Sequence, residues 1–247
     1  MTNTPRKYYI RFSNVDDHEK IMDFYRANPH DNVSDRHEDL MKKMADNGSI
    51  VIIESEKGEI VGASISYPLM SEKDPSKQEW LEIGTTRIVL NGYPGMFDLM
   101  IGIQTLRAYL VEPPDDRFVC QMESPLVRKM AHKLGFRPLD PSDELVRVSD
   151  ATVDATETCG KENWYSAGPE ALPVMAKLMR DALDKPYLEN PKNGDKIILD
   201  FSKSKFFQLF EPEIRDLATR DCGDPDKPNP KGSISQNRKE WMHKFFK

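Results

Sequence analysis

The sequence predicts an α/β chain: a mixed central sheet with flanking helices, followed by a C-terminal α+β extension. Three observations predict it. Through the first 150 residues strand and helix signals alternate in the order β-α-α-β-β-β-α-β-α-β-β. Ser49–Ser55 (SIVIIES) and Glu59–Tyr67 (EIVGASISY) flank Glu56-Lys57-Gly58, so an antiparallel hairpin coexists with helix-linked strands. The 247 residues suit a domain of about 150 residues with an appended piece. The expected division is therefore 1–150 and 151–247.

Each element follows from local chemistry. Tyr8–Ser13 (YYIRFS) is rich in β-formers. Asp16 or Asp17 is placed to cap a helix with Ile21, Phe24 and Tyr25 on one face. A second helix, from about Ser34 to Asp46, gathers Leu40, Met41 and Met44 and stops at Asn47-Gly48. After the hairpin, a polar loop (Ser71–Gln78) leads to a long strand, Glu79–Leu90. Asn91-Gly92-Tyr93-Pro94-Gly95 then turns into a helix over Phe97–Leu110, broken by Pro113-Pro114. Arg117–Met122 reads as a buried strand. Ser124-Pro125 opens the next helix, with serine as N-cap and proline in the first turn, and Gly135 closes it. Phe136–Leu139 and Glu144–Ser149 are the last strands of this half. Beyond the polar stretch Ala151–Lys161 the sequence predicts a helix over Pro169–Leu183, a strand over Lys196–Phe201 and a helix over Glu211–Arg220.

Composition removes several function classes. The longest apolar run, Phe97–Ile103, spans seven residues and contains Asp98 and Gly102, whereas a membrane-spanning helix needs about 20 apolar residues. The N-terminal residues show no secretory apolar segment, so a cytoplasmic location is expected. Cys120, Cys159 and Cys222 are odd in number and far apart, and the five histidines are scattered, so neither a disulfide framework nor a metal site is expected. His30 and His37 bracket an acidic stretch and read as solvated loop residues. Cys120, beside Phe118 and Val119, reads as an inert buried thiol.

The segment best suited to ligand binding is the strand-loop-helix over Arg87–Leu110. A helix N-terminus presents unpaired N–H groups and the positive end of its dipole, and glycines allow close approach of a phosphate. Together with the order of elements, the Gly58-Glu59-Ile60-Val61-Gly62 hairpin, the opening Ile10-Arg11 and the Lys133-Leu134-Gly135-Phe136 ending, this loop resembles the GCN5-related N-acetyltransferase (GNAT) superfamily over residues 8–150. The resemblance implies acetyl-CoA or another acyl-CoA as donor, bound in a splay beside the fourth strand. It also implies an amine, on a small molecule or a protein, as acceptor. It places the donor loop at Val89, Leu90, Gly92, Tyr93, Gly95, Met96 and Phe97.

The loop departs from the family pattern Q/R-x-x-G-x-G/A. Gly92 stands at the Q/R position, Phe97 at the second Gly/Ala, and Pro94 removes an N–H. Ser124 replaces the usual Asn, and Ala131 stands where many members keep a Tyr acid. Asp98 is an unfavourable neighbour for a phosphate unless it caps the helix. Acyl transfer needs a base for the amine proton and donors for the thioester oxygen. Glu79 and Glu82 are the nearest carboxylates. Glu82, between Leu81 and Ile83, is the candidate base if partly buried; the alternative is an outward strand residue facing water. Ser124 is a candidate for bonding the leaving thiol, and His132 for replacing the missing acid. Thr85, Thr86 and Tyr93 are candidates for orienting substrate.

Residues 151–247 carry no catalytic motif. Trp164-Tyr165 is expected to pack on the sheet. Asp224–Lys247 holds six Lys/Arg against three Asp/Glu in a chain of net charge −6. Such a tail suits either a terminal helix docked on its own domain or a weak anionic contact, and nucleic acid is not the expected partner. The leading function is an acyltransferase. The alternatives are a GNAT-fold sensor without catalysis and a nucleic-acid-modifying relative using the basic tail. Acceptor, acyl length and oligomeric state are left open.

Overall fold

The computed structural model describes residues 4–30, 38–70, 78–111, 118–122, 124–138 and 164–220. In chain order the elements are β1 (Arg6–Phe12), α1 (His18–Ala27), α2 (Glu38–Asp46), β2 (Ile50–Ser55), β3 (Ile60–Met70), β4 (Gln78–Ile88), α3 (Met96–Val111), β5 (Phe118–Gln121), α4 (Pro125–Lys133), β6 (Arg137–Pro138), β7 (Trp164–Ala167), α5 (Leu172–Asp184), β8 (Tyr187–Glu189), β9 (Lys196–Asp200) and α6 (Lys205–Leu217). Up to β6 the order of strands and helices is the one the sequence predicts; β7 is not among the expected strands. The strands join in one sheet, β6-β7-β5-β4-β3-β2-β1-β9-β8.

The sheet is covered on both faces, which is why β2 reads as an unbroken apolar run. Ile50 and Ile52 join Ile21, Phe24, Met41 and Met44 beneath α1 and α2. Val51 and Ile53 join Ile10, Ile83 and the helices α3, α5 and α6 on the other face. α3 is buried from Leu99 through Leu110. The sheet lies along one side of it and α5 along the other, where Gly102 faces Met175 and Leu178. Its apolar residues therefore run all round rather than forming one stripe.

Several local expectations are corrected. Asp17 stands at the N-cap of α1 as expected but makes no side-chain capping bond there; the capping bond is made by Asn14, whose side chain accepts from the Asp16 N–H in the short 3-10 turn leading into α1. The Asp17 carboxylate instead accepts from the Asn14 N–H and from Arg11. The last helix begins at Lys205 rather than Glu211, with Pro212 inside it. Phe136 precedes β6, which spans Arg137–Pro138, and Leu139 lies outside the described residues. Glu144–Ser149, the 71–77 loop, Cys159, Cys222 and the basic tail 224–247 lie outside the described residues.

The expected boundary near residue 150 also lies outside them, but strands from either side of it share the sheet. β7 pairs antiparallel with β5, and Trp164 is buried there as expected. β9 pairs parallel with β1, from Arg6–Ile197 to Tyr9–Asp200. β8, which the sequence reading missed, forms the edge beside β9. No described helix is long and apolar enough to cross a membrane.

Candidate active site

β4 and β5 run parallel, but their register pairs are only Leu81–Phe118 and Glu82–Val119. Past that point they part, and the edge of β4 from Gly84 onward faces a cavity of about 450 Å³. A bulge re-aims β4 at the same level. Gly84 faces Ile65 and Arg87 faces Ala63, so Thr85 and Thr86 together lie opposite Ser64. Thr85 adopts a φ of 48°, a left-handed conformation that costs a β-branched residue about 1–3 kcal/mol. Hydroxyls hold it there: Tyr25 donates to the Thr85 carbonyl at 2.6 Å and Tyr67 to Thr85 Oγ1 at 2.7 Å. Ser64 and Thr86 share a further hydrogen bond of 2.7 Å.

The cavity is closed by the first turns of α3 and α4 and by the end of α1's loop. Its walls include Thr85, Thr86, Arg87, Leu90, Tyr93, Met96 and Phe97, with Cys120, Ser124 and Val127 opposite. The loop between β4 and α3 is braced from two directions. Tyr93 turns inward, 7% exposed, and its hydroxyl accepts from Arg6 Nη2 at 2.9 Å. Gly92 and Gly95 take φ values of 89° and 86°. A Cβ on Gly92 would lie 2.4 Å from Asn190 Nδ2, so the turn between β8 and β9 packs directly on this loop. In the first turn of α3, Asp98 Oδ1 is buried with no hydrogen-bond partner. Burial pushes its carboxyl above the usual range, against the pull of Lys133.

Of the sequence-predicted residues, Leu90, Tyr93, Met96, Phe97 and Ser124 stand on the cavity wall, while Gly92 and Gly95 shape the loop beside it. Val89 instead packs toward the α1–α2 core. Glu82 is 4% exposed, which excludes a water-facing position. It lies behind the wall: its Oε1 is 3.0 Å from where a Gly84 Cβ would sit. Ser124 is at the N-cap of α4, yet its side chain makes no capping bond. His132 sits on the exposed side of α4, where its Nδ1 meets Arg137 Nη1 at 3.1 Å, off the cavity wall. Burial, with the charge of Glu82 adding to it, pushes the Cys120 thiol far up, so Cys120 is an inert thiol as expected. His30 is exposed, as the sequence reading expected, and it also borders the cavity. Only the spatial return of the loop after α1 reveals that, and no spacing signal marks it.

A splay beside the fourth strand, next to a glycine-bearing loop and a helix N-terminus, is the feature the resemblance implied; the bulge in β4 is an addition to it. The fold is GNAT-like. No protein-family model matches the sequence, and no curated protein matches it. Among solved structures, the chain is similar to the loading GNATL domain of CurA from Lyngbya majuscula, at 12% identity over 65% of this chain and 97% of that one, TM-score 0.45. It is also similar to the diaminobutyrate acetyltransferase EctA from Paenibacillus lautus, solved with L-2,4-diaminobutyric acid and coenzyme A, at 13% identity over 66% and 96%, TM-score 0.45. A third is a mosquito arylalkylamine N-acetyltransferase-like protein, at 11% identity over 64% and 97%, TM-score 0.45.

Proposed function

We propose that this protein is an acyltransferase that moves an acetyl or longer acyl group from a CoA-type thioester to an amine. The observation that carries the reading is the β4 edge from Gly84 to Ile88, which has no strand partner among the described residues and lies beside the Thr85 bulge on the cavity wall. A pantetheine arm is peptide-like, and a strand edge offers it alternating N–H and C=O partners. The donor's diphosphate falls to the Asn91–Gly95 loop and the first turn of α3, where N–H groups lack helical partners.

The chemistry then assigns roles. The amine nitrogen attacks the thioester carbon, its proton goes to a base, and the C–S bond breaks to release the thiol. Glu82, behind Gly84, takes the amine proton through a water. Ser124, with its hydroxyl free of capping, donates to the departing sulfur. N–H groups of the bulged β4 edge face the carbonyl oxygen as it gains charge.

Calorimetry with acetyl-CoA, longer acyl-CoAs and CoA tests the donor assignment, and absence of binding to all three overturns it. In turnover assays Glu82→Gln is expected to lose about 10²–10⁴-fold, the usual contribution of a positioned base. Unchanged turnover rejects that role. Phe97 on the wall, with Pro94 in the loop and Ala131 where an acid is usual, favours a second reading, a GNAT-fold sensor without catalysis, which predicts no turnover with any acyl-CoA.

A further inference from the structure

A second cavity, of about 870 Å³, lies away from the donor cavity and shares no lining residue with it. It is built where the C-terminal part of the chain meets the first strand: the end of β1, the last turns of α3, and the first three turns of α6. One long face of α6 lines it. Phe206, Leu209, Phe210 and Glu213 follow at i, i+3, i+4 and i+7, the spacing of a single helix face. Phe12 closes the apolar wall, its ring 5.2 Å from that of Phe206. Leu209 remains 67% exposed, a large apolar side chain left at the mouth.

The end of this cavity at the start of α6 is polar. Ser204 is the N-cap residue, is 2% exposed, and makes no capping bond. Its Oγ is buried on the cavity wall without any hydrogen-bond partner. An N-cap serine ordinarily accepts from the second or third helical N–H, so both the hydroxyl and those N–H groups are left for something else. Arg11, Lys203 and Arg107 also border the space, but Asp17 and Glu54 already match the first two, and Arg107 lies over the Phe12 ring and donates to the Asn47 carbonyl. Lys205 has no ion-pair partner among the described residues and stands beside the helix start. Glu213 lies about two turns along, with Oε2 buried and partnerless, so an anion is favoured at the Ser204 end and disfavoured at the other.

We propose that this cavity is a second ligand site, for an amphipathic anion. A carboxylate or phosphate head bonds Ser204 Oγ, the first-turn N–H groups of α6 and Lys205, and an apolar body lies along Phe12, Phe206, Leu209 and Phe210. The volume is that of a small-molecule site. The inference does not depend on the donor assignment, because the two cavities have separate walls.

Calorimetry on the full chain tests it with decanoate, decyl phosphate and decanol. Saturable one-to-one binding of decanoate or decyl phosphate is expected, with decanol weaker by about tenfold or more, the worth of one charge-assisted bond. Decyl phosphate binding more tightly than decanoate assigns a phosphate head, and the reverse assigns a carboxylate. Lys205→Glu, an exposed substitution, and Ser204→Ala are each expected to weaken the anion about tenfold and leave decanol unchanged. Leu209→Asp, also exposed, weakens all three. Absence of saturable binding, equal affinity for decanol, or wild-type affinity in both Lys205→Glu and Ser204→Ala overturns the proposal. Acetyl-CoA titrated in parallel reads the donor cavity separately.

Discussion

At Thr85 a single β-branched residue holds a left-handed φ of 48° between hydroxyls from α1 and β3. Glycine there relieves the backbone but loses the Oγ1 acceptor, so Thr85→Gly is expected to be nearly neutral. Thr85→Val keeps the strain and removes the acceptor from the Tyr67 hydroxyl, and is expected to cost about 1–3 kcal/mol in urea denaturation. Both variants lack the hydroxyl acceptor, so equal stabilities would show that the left-handed backbone at Thr85 costs nothing. Asp98 makes a second residue-scale test. Its raised pKa means it ionises only above the usual carboxylate range, and each step of ionisation with rising pH opposes a nearby diphosphate. Asp98→Asn is expected to tighten CoA binding several-fold and to flatten its pH dependence; calorimetry at two pH values checks both. Thr85 and Ser124 were legible as candidates from their places around the loop, and Asp98 as an unfavourable neighbour for a phosphate. The burial of Glu82 was not, because strand alternation leaves open whether the face opposite Leu81 and Ile83 is solvated or covered by α1 and α2.

The donor loop is a joint between two elements distant in sequence. Gly92 is required twice, once by its φ of 89° and once by the Asn190 amide that occupies the space of a Cβ. Gly92→Ala therefore carries a conformational cost of about 1–2 kcal/mol plus a clash. Adding Asn190→Ala is expected to recover the clash and leave the conformational cost, a non-additivity that a double-mutant cycle in thermal or urea unfolding measures. Additive costs would mean that the β8–β9 turn does not brace the loop. No sequence pattern pointed to this joint, since β8 is only three residues long and presents Tyr187 and Glu189 outward. α6 was misread for a different reason. Pro212 beside Glu211 has the look of a first helical turn, and proline is indeed favoured there. The preceding Phe206 and Phe207 are buried with their rings against Phe12 of β1, Phe210 is half-buried beside Phe206, and that packing carries the helix through the proline. The elements from β1 to α4 were legible because each bears its own periodicity and stop signal.

Across the whole molecule, the sheet continues through both expected parts of the chain, so unfolding should be shared. Beyond the β1–β9 ladder, Lys7 pairs with Asp200 at 3.3 Å, and Lys203 bonds Glu54 at 3.2 Å while resting over the Tyr9 ring. Glu54 also accepts from Arg11, which makes two bonds of 2.6 and 2.7 Å to Asp17. One buried cluster thus ties β1, β2, the start of α1 and the approach to α6. The division near residue 150 was read from a polar stretch, and polarity there says nothing of strand pairing on either side of it. The cluster sets the pH behaviour. Burial by itself would push Asp17 and Glu54 up, but the bonds to Arg11, joined for Glu54 by Lys203, outweigh it and hold both carboxyls below their usual values. Their contribution to stability is therefore full above the unfolded carboxylate pKa of about 4 and is lost as pH falls through the depressed folded values. Urea unfolding from pH 7 down to pH 3 should show one transition by both tryptophan fluorescence and circular dichroism, with stability falling in that acid window. Arg11→Met leaves the buried Asp17 without a cation and Glu54 with Lys203 alone, and should cost about 3–5 kcal/mol at pH 7. In that variant the order reverses: protonating Asp17 and Glu54 relieves the burial, so acidification into the same window should narrow the gap to the wild type. A gap that stays constant across the window would mean that Arg11 does not hold these two carboxyls, and two separate transitions would mean that the shared sheet does not couple the two halves.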